Sequence, residues 1–358
     1  MSCNHIPRHV QNKKGRFKLK MLNVNKQCNS FCQKSGKQRI MWIDIARGIA
    51  ILLVLLGHII YWLPSNKVLG KIYSLIYSFH MPLFFIISGY TLNDKKNVRE
   101  FVQSKLKKFG IWYLKFCLLW SIFTICLNEF QWNKSTLFNT LLVTSKSFYS
   151  IYWFIPTLII SELIALFVIK KGKNQKVIFI LGIIAYIISV GFKNLIGCPL
   201  PFCADVGMLG SFFIICGWLF REYAIFNNLD KKDSIKKMLV CLLIFTGLFL
   251  ICYGVLKYSP AYFLSIDIGN PVLFACTGVI GSITVLYFSV AFERKFRILN
   301  SLGKNSLNLY GIHYFFLPLI EIFNVNNIIE GMGYVLIPSI LVVKCIEKLK
   351  FRIITKVS

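Results

Sequence analysis

The chain has 358 residues, of which 56% are apolar and 16% charged, and its mean hydropathy is +0.62. It carries 42 Lys and Arg against 14 Asp and Glu, a formal charge of +28. Soluble domains have about 25% charged residues, so this composition excludes a disordered chain, collagen, a coiled coil, a small disulfide scaffold and an ordinary nucleic-acid binder, and it favours a multi-span membrane protein.

Ten stretches along the chain approach the roughly 20 apolar residues that a transmembrane helix needs. They cover residues 43–63, 72–92, 109–128, 151–169, 177–192, 203–220, 238–256, 271–292, 306–323 and 333–346. Trp, Tyr and Phe crowd their ends, as is typical of interfacial belts. The sequence therefore predicts an all-α integral membrane protein with about ten transmembrane helices.

The basic residues alternate between the two sides of these helices. The first 40 residues, every second loop and the C-terminal segment hold 34 of the 42 Lys and Arg, the other loops hold six, and Arg47 and Lys115 lie within spans. Under the positive-inside rule this alternation places both termini in the cytoplasm. We expect a multi-pass protein of a bacterial cell membrane, the inner or plasma membrane.

The same pattern divides the chain into three parts. Residues 1–40 are expected to form a basic, loosely ordered cytoplasmic tail, residues 41–350 the membrane domain, and residues 351–358 a second cytoplasmic tail. The first tail holds five potential metal ligands whose spacing fits no zinc template, so no metal is expected: Cys3, His5, His9, Cys28 and Cys32. Cys198 and Cys203 flank an outer loop and could pair, with position as the only support.

The first span carries three ionisable residues, and such residues are costly inside a membrane. Asp44 and Arg47 are three residues apart and share a helix face near the cytoplasmic end. His58 follows Arg47 by eleven residues, which corresponds to a depth of roughly 16 Å and a net rotation of about 20°. Arg47 and His58 therefore line one stripe, with His58 deep toward the outer half.

A second histidine is predicted to lie at a similar depth. His80 belongs to the second span, which runs antiparallel to the first. A histidine near pH 7 can take up and return a hydroxyl proton, and this suits acyl transfer. His80 is interpreted either as an active-site partner of His58 or as a packing group beside Pro82.

Four stretches carry recognisable motifs: Trp-Ile-Asp-Ile-Ala-Arg-Gly-Ile-Ala-Ile (42–51) with Leu-Gly-His (56–58), Ser-Phe-His-Met-Pro-Leu-Phe-Phe-Ile-Ile-Ser-Gly-Tyr (78–90), Tyr-Trp-Phe-Ile-Pro-Thr-Leu (152–158), and Leu-Gly-Lys-Asn-Ser-Leu-Asn-Leu-Tyr-Gly-Ile-His (302–313). Together they resemble the acyltransferase-3 family of integral membrane O-acyltransferases, in particular its fucose 4-O-acetylase-like branch. The resemblance spans roughly residues 39–350. The chain departs from the family after the second span, where Lys105 and Lys108 occupy the place of an Arg-x-x-Arg pair and no Pro follows before Trp112.

The resemblance implies transfer of an acyl group, usually acetyl from acetyl-CoA, to a sugar hydroxyl of a cell-surface or exported glycan. The expected catalytic residues are His58, Arg47 and His80. The cofactor is expected to contact Arg47, Lys105, Lys108, Ser88 and Gly89. His58 either deprotonates the acceptor hydroxyl or receives the acyl group itself, and the sequence does not distinguish these routes.

Several side chains have a structural interpretation beside the functional one. Trp153 either stacks on the acceptor sugar or anchors the interface, and Asp205 is expected to orient an acceptor hydroxyl. Ser88 and Gly89 also suit close helix packing. Glu162, inside the fourth span, needs a cation or a proton.

Two other classes of protein compete with the enzyme. A transporter or flippase for a sugar or lipid-linked glycan would suit ten spans with scattered charges, although the sequence has no inverted repeat. A non-catalytic scaffold would leave the Arg47–His58 stripe incidental. The expected partners are the bilayer and a glycan or lipid-linked sugar, with no nucleic acid, and the oligomeric state is not indicated.

Overall fold

The computed structural model describes residues 40–127, 138–140, 142–144, 146, 149–227, 229–251 and 261–357, the last nine by their backbone alone. Except for Ile40, the predicted tail 1–40 lies outside the described residues. The end of the predicted seventh span lies outside them as well. The main helices are α1 Met41–Trp62, α2 Lys67–Tyr77, α3 His80–Tyr90, α4 Val98–Lys105, α5 Ile111–Cys126, α6 Phe154–Lys171, α7 Gln175–Leu195, α8 Ala204–Glu222, α9 Lys231–Leu250, α10 Pro271–Ala291, α11 Arg297–Lys304, α12 Ser306–Ile312, α13 Pro318–Ile322 and α14 Ile328–Val357.

The described residues form helices joined by turns and loops, as predicted. The only β-type pairing in these residues is an isolated bridge between Tyr262 and Asp267. Asn or Asp side chains cap the first turns of five helices by accepting a hydrogen bond from a backbone N–H, and these caps are Asn66, Asn97, Asn174, Asp230 and Asn270. Such caps stabilise a helix by about 1 kcal/mol each and fix where the helix begins.

Seven helical stretches of the described chain are long and apolar enough to cross a membrane. They are Met41–Trp62, Lys67–Tyr90, Val98–Cys126, Gln175–Leu195, Pro201–Glu222, Pro271–Ala291 and Ile328–Lys348. The prediction of about ten includes three further segments. Of these, α6 carries Glu162 and two terminal lysines, α9 begins with a lysine-rich turn, and the predicted span 306–323 is divided into short helices.

The central helix is α8, which packs against α3, α6 and α7. Glycines allow its backbone to approach α3 closely. A Cβ added at Gly217 would collide with the Ile86 carbonyl, and one added at Gly89 would collide with the Ile214 carbonyl. Small residues bring helices into such contact inside membranes, so α3 and α8 form one rigid pair.

Two breaks in regular helix position the site. Between α2 and α3 the chain turns at Ser78 and Phe79; Pro82 lies in the first turn of α3 and has no N–H to donate to the Ser78 carbonyl. Between α12 and α13 lies a 3₁₀ turn, His313–Phe315, followed by Pro318, which likewise cannot donate a helical hydrogen bond. The breaks place His80 and His313 where short elements meet α1.

Candidate active site

Three histidines of the described chain meet in one layer of the bundle. His58 comes from α1, His80 begins α3, and His313 opens the 3₁₀ turn after α12. The ring centroids of His58 and His313 are 5.3 Å apart. The Tyr77 ring lies 4.7 Å from that of His80 and packs against Gly57, the residue before His58. The structure therefore sets His313 directly beside His58, and Tyr77 links His80 to the same part of α1.

Tyr314 is the direct hydrogen-bond partner of His58. Its hydroxyl lies 3.0 Å from His58 Nε2, and the two ring centroids are 5.0 Å apart. A hydroxyl and a ring nitrogen at this distance form a good hydrogen bond in either direction. Tyr314 therefore fixes the orientation of the imidazole, and sequence reasoning missed it because no spacing rule links positions 58 and 314.

The other two histidines are held in a defined tautomer. His80 Nδ1 lies 2.8 Å from the Ile76 carbonyl oxygen, and His313 Nδ1 lies 3.1 Å from that of Leu309. A carbonyl oxygen only accepts, so Nδ1 donates in each ring, and the neutral ring then carries its lone pair on Nε2. His313 is fully buried, and its Nε2 has no hydrogen-bond partner among the residues described.

Crossed hydrogen bonds hold the segment that carries His313 and Tyr314. The Tyr152 hydroxyl donates to the Gly311 carbonyl at 3.2 Å, and the Tyr310 hydroxyl donates to the Ile151 carbonyl at 2.8 Å. Tyr152 is completely buried, with its ring 6.2 Å from that of Tyr314. The 152–158 motif thus supports the histidine layer through Tyr152.

Arg47 lies about three turns from His58, toward the beginning of α1. Its guanidinium donates to Asp44 Oδ1 at 3.1 Å and approaches Thr91 Oγ1 at 3.4 Å. The Arg47 side chain is 30% exposed, whereas that of Asp44 is 2% exposed. A guanidinium that is partly exposed at the end of a helix is a cation of the kind that binds phosphates and carboxylates.

Lys105 and Ser88 converge on Glu162. The Lys105 ammonium lies 2.5 Å from Glu162 Oε1, and the Ser88 hydroxyl donates to the same oxygen at 2.6 Å. This ion pair supplies the cation that Glu162 needs. The Lys105 charge is therefore engaged by a buried carboxylate, as that of Arg47 is by Asp44.

Lys108 and Gly89 occupy different surroundings. Lys108 belongs to the π-helical turn Leu106–Gly110 between α4 and α5, and its ammonium lies 4.9 Å from the Phe109 ring centroid. Gly89 is a packing position, because its backbone meets α8 at Ile214. Among the described contacts, none joins Lys108 or Gly89 to the histidine layer.

Trp153 and Asp205 lie away from His58. The Trp153 ring stacks against Phe263 with a centroid distance of 6.0 Å. Asp205 lies in the first turn of α8, where the Ser189 hydroxyl donates to its backbone carbonyl, and its carboxylate Oδ1 has no hydrogen-bond partner in the described residues. The structure shows no contact between either residue and the histidine layer.

In the described part of the chain, the cysteines form no disulfide and the potential metal ligands form no metal site. Cys198 and Cys203 are free thiols, and Cys203 Sγ donates to the Val143 carbonyl at 3.3 Å. No group of three or more His, Cys, Asp or Glu side chains there is arranged to hold a metal ion.

The structure is a helical bundle with a layer of three histidines, and Arg47 lies on the same helix as His58. The comparison with a known family then identifies the class of protein. A family model described as an acyltransferase domain matches residues 40–345. The chain belongs to this family, acyltransferase-3, and the predicted family is confirmed. It is by that membership an acyltransferase with membrane-capable helices.

Two relatives, both Nodulation protein NolL, match part of the chain. The protein from Mesorhizobium japonicum is 30% identical over 36% of each chain. The protein from Sinorhizobium fredii is 43% identical over 16% of this chain and 17% of its own length. The matched part thus spans about a third of the first relative and less of the second. No solved structure matches the chain.

Proposed function

We propose that the protein is a membrane-embedded O-acyltransferase that moves an acetyl group from acetyl-CoA to a sugar hydroxyl of a cell-surface or exported glycan. The observation that carries the proposal is the contact between His58 and Tyr314 within a layer of three histidines. Family membership supplies the reaction class. The histidine layer supplies the groups that move a proton, and Arg47 lies on the same helix.

We further propose ten spans with both termini in the cytoplasm of a bacterium. The tails and every second loop, all on the same side of the ten spans, hold 34 of the 42 basic residues, and this supports the orientation. It puts Arg47 near the cytoplasm and His58 toward the outer half. The rhizobial source of the two relatives fits a bacterial cell membrane.

The donor is proposed to bind from the cytoplasmic side. Acetyl-CoA carries phosphates, and the partly exposed Arg47 guanidinium is suited to them because it offers several donors in a planar fork. Lys108 adds a second positive charge at the π-helical turn. Lys105, Ser88 and Gly89 are assigned to holding the helices around this entrance. The acyl arm then follows the stripe from Arg47 to His58.

The proposed chemistry is direct transfer. His58 takes the proton from the acceptor hydroxyl while that oxygen attacks the thioester carbonyl. The new oxygen–carbon bond forms as the carbon–sulfur bond breaks, and His58 passes the proton to the leaving CoA thiolate. Tyr314 keeps the imidazole in position, and the lone pair on His313 Nε2 accepts a hydrogen bond from a neighbouring hydroxyl of the sugar.

Replacing His58 tests the proposal. We expect His58→Ala and His58→Gln to abolish transfer of labelled acetyl from acetyl-CoA to glycan acceptors, because neither side chain can shuttle the proton. Arg47→Ala should instead raise the KM for acetyl-CoA by roughly tenfold or more, the loss of a charge-assisted hydrogen bond. Lys170→Ala, at the far end of α6, is the matched control for loss of a cytoplasmic-side cation.

Two results would overturn the assignment. Retained transfer in a correctly inserted His58→Ala protein would exclude His58 as the base. Movement of a glycan across proteoliposomes without acetylation would support the transporter. Accumulation of acetyl on His58 during a single turnover would replace direct transfer by an acyl-enzyme route.

A further inference from the structure

Four tyrosines form a cluster next to the histidine layer. Tyr73 and Tyr77 of α2 stack with a centroid distance of 4.0 Å, and Tyr262 lies 6.4 Å from Tyr73 and 6.0 Å from Tyr77. Tyr61 at the end of α1 lies 6.5 Å from Tyr73. This tyrosine cluster reaches the active site through Tyr77, whose ring centroid is 4.7 Å from that of His80.

The Tyr77 ring also connects the cluster to α1. It packs against Gly57, the residue before His58, and it contacts the rings of Tyr73, Tyr262 and His80. A series of ring contacts therefore leads from Tyr262 to the neighbourhood of His58 and His80.

The outer members of the cluster are exposed and an inner one is buried. Tyr61 is 67% exposed and Tyr262 39% exposed, whereas Tyr73 is 7% exposed. Tyr77, which contacts His80, is half-buried. Tyr61 and Tyr262 therefore form the open end of the cluster.

Two observations distinguish the cluster from an ordinary interfacial belt. Belt tyrosines present their rings to lipid one by one, but here Tyr73 is buried and its ring stacks on that of Tyr77. In addition, α1 makes room for the cluster beside His58, because a Cβ at Gly57 would lie 2.8 Å from the Tyr77 ring. The glycine at position 57, next to His58, therefore leaves the space that the Tyr77 ring occupies.

We propose that the tyrosine cluster is the subsite for the carbohydrate acceptor. A sugar ring has an apolar face and a hydroxyl edge, and a tyrosine offers an apolar face and one polar group. Tyr61 and Tyr262 contact the sugar at the open end, and the hydroxyls of Tyr73 and Tyr77 hold its edge. One sugar hydroxyl then lies at His58. This inference rests on the proposed function and replaces Trp153 and Asp205 as acceptor contacts.

Nitration of the exposed tyrosines tests binding without requiring turnover. Purified full-length protein is treated with tetranitromethane in the presence of methyl glycosides of fucose, glucose or N-acetylglucosamine, with glycerol as the polar control. We expect at least one glycoside to protect Tyr61 and Tyr262 while the exposed Tyr223, at the far end of α8, is nitrated equally in all samples. Equal nitration of Tyr61 and Tyr262 with every glycoside would overturn the subsite.

Tyr→Phe variants test its use in the reaction. Tyr73→Phe and Tyr262→Phe keep the rings but remove hydroxyls, so we expect the KM for the protecting glycoside to rise about tenfold, with the KM for acetyl-CoA unchanged. Tyr223→Phe is the matched control, and hydrolysis of acetyl-CoA reports that the variants are folded. An unchanged KM for the glycoside would also overturn the subsite. Protection without any acetyl transfer would keep the sugar site and contradict the proposed function.

Discussion

At the residue scale, the orientation of the His58 ring depends on a neighbour 256 positions away. The Tyr314 hydroxyl is 3.0 Å from Nε2 of His58, and this is the only hydrogen bond between His58 and a side chain in the described structure. The His313 ring is 4.3 Å from that of Tyr314 and fully buried. Consecutive residues of one 3₁₀ turn thus contact the His58 imidazole.

Tyr314→Phe removes this hydrogen bond but keeps the ring. We expect kcat for acetyl transfer to fall roughly fivefold, since one side-chain hydrogen bond contributes about 1 kcal/mol, with little change in the KM for acetyl-CoA. Steady-state kinetics of the purified protein measure both. Tyr334→Phe, on α14 against Phe323, is the control. An unchanged kcat would mean that Tyr314 does not orient His58.

At the element scale, a buried ion pair joins α4 to α6. Lys105 ends α4, Glu162 lies in the middle of α6, and Ser88 near the end of α3 completes the group. The Glu162 side chain is 2% exposed. Each partner is therefore tolerated in the interior because the other is present.

Removing one partner should destabilise the bundle more than removing both. We expect Lys105→Met to lower stability by about 3–5 kcal/mol, because it leaves the buried Glu162 carboxylate without its counter-ion. Glu162→Met should cost less, because the Lys105 side chain is 20% exposed. The double variant should recover most of that loss. Thermal unfolding in one detergent compares the four proteins. A double variant as unstable as the sum of the single variants would show that the two residues act independently.

The loop between α3 and α4 is tied to the end of α8 by Asp94. Its Oδ2 accepts hydrogen bonds from Trp218 Nε1 at 2.9 Å and from Arg221 at 3.0 Å, and Arg221 also donates to the Leu92 carbonyl. Partial burial raises the pKa of Asp94, but the Trp218 hydrogen bond and the Arg221 charge outweigh it and lower the pKa below its usual value. The carboxylate therefore stabilises the folded loop.

This lowered pKa predicts a pH dependence. The contribution of Asp94 to stability is present above its unfolded pKa, about 4, and is lost as the pH falls through the lower folded pKa. Asp94→Asn should be less stable than the wild type at pH 7, and the difference should shrink below about pH 4. Thermal unfolding of both proteins across this range measures it. A difference that does not change with pH would exclude the carboxylate charge as the cause.

At the scale of the whole molecule, charge sets the orientation in the membrane. The proposed topology puts Cys198, an exposed free thiol in the loop after α7, outside the cell. It puts Cys28, in the basic tail, inside the cell. These two native cysteines therefore report opposite sides.

Thiol labelling in intact cells tests this orientation. In variants that retain a single native cysteine, a membrane-impermeant maleimide should label Cys198 directly and Cys28 only after permeabilisation. Labelling of Cys28 in intact cells would invert the topology. Labelling of both would place them on the same side, which requires an even number of spans between them instead of the predicted five.

The sequence by itself determined the helical class, the family and the stripe from Arg47 to His58. These depend on composition and on spacing within one helix, and both are local properties. The partners of His58 were decided only by tertiary structure. The breaks at Pro82 and Pro318 place His80, His313 and Tyr314 in the layer of His58, and the packing of α4 against α6 engages Lys105 with Glu162. Such contacts join residues far apart in the chain, and no local periodicity encodes them.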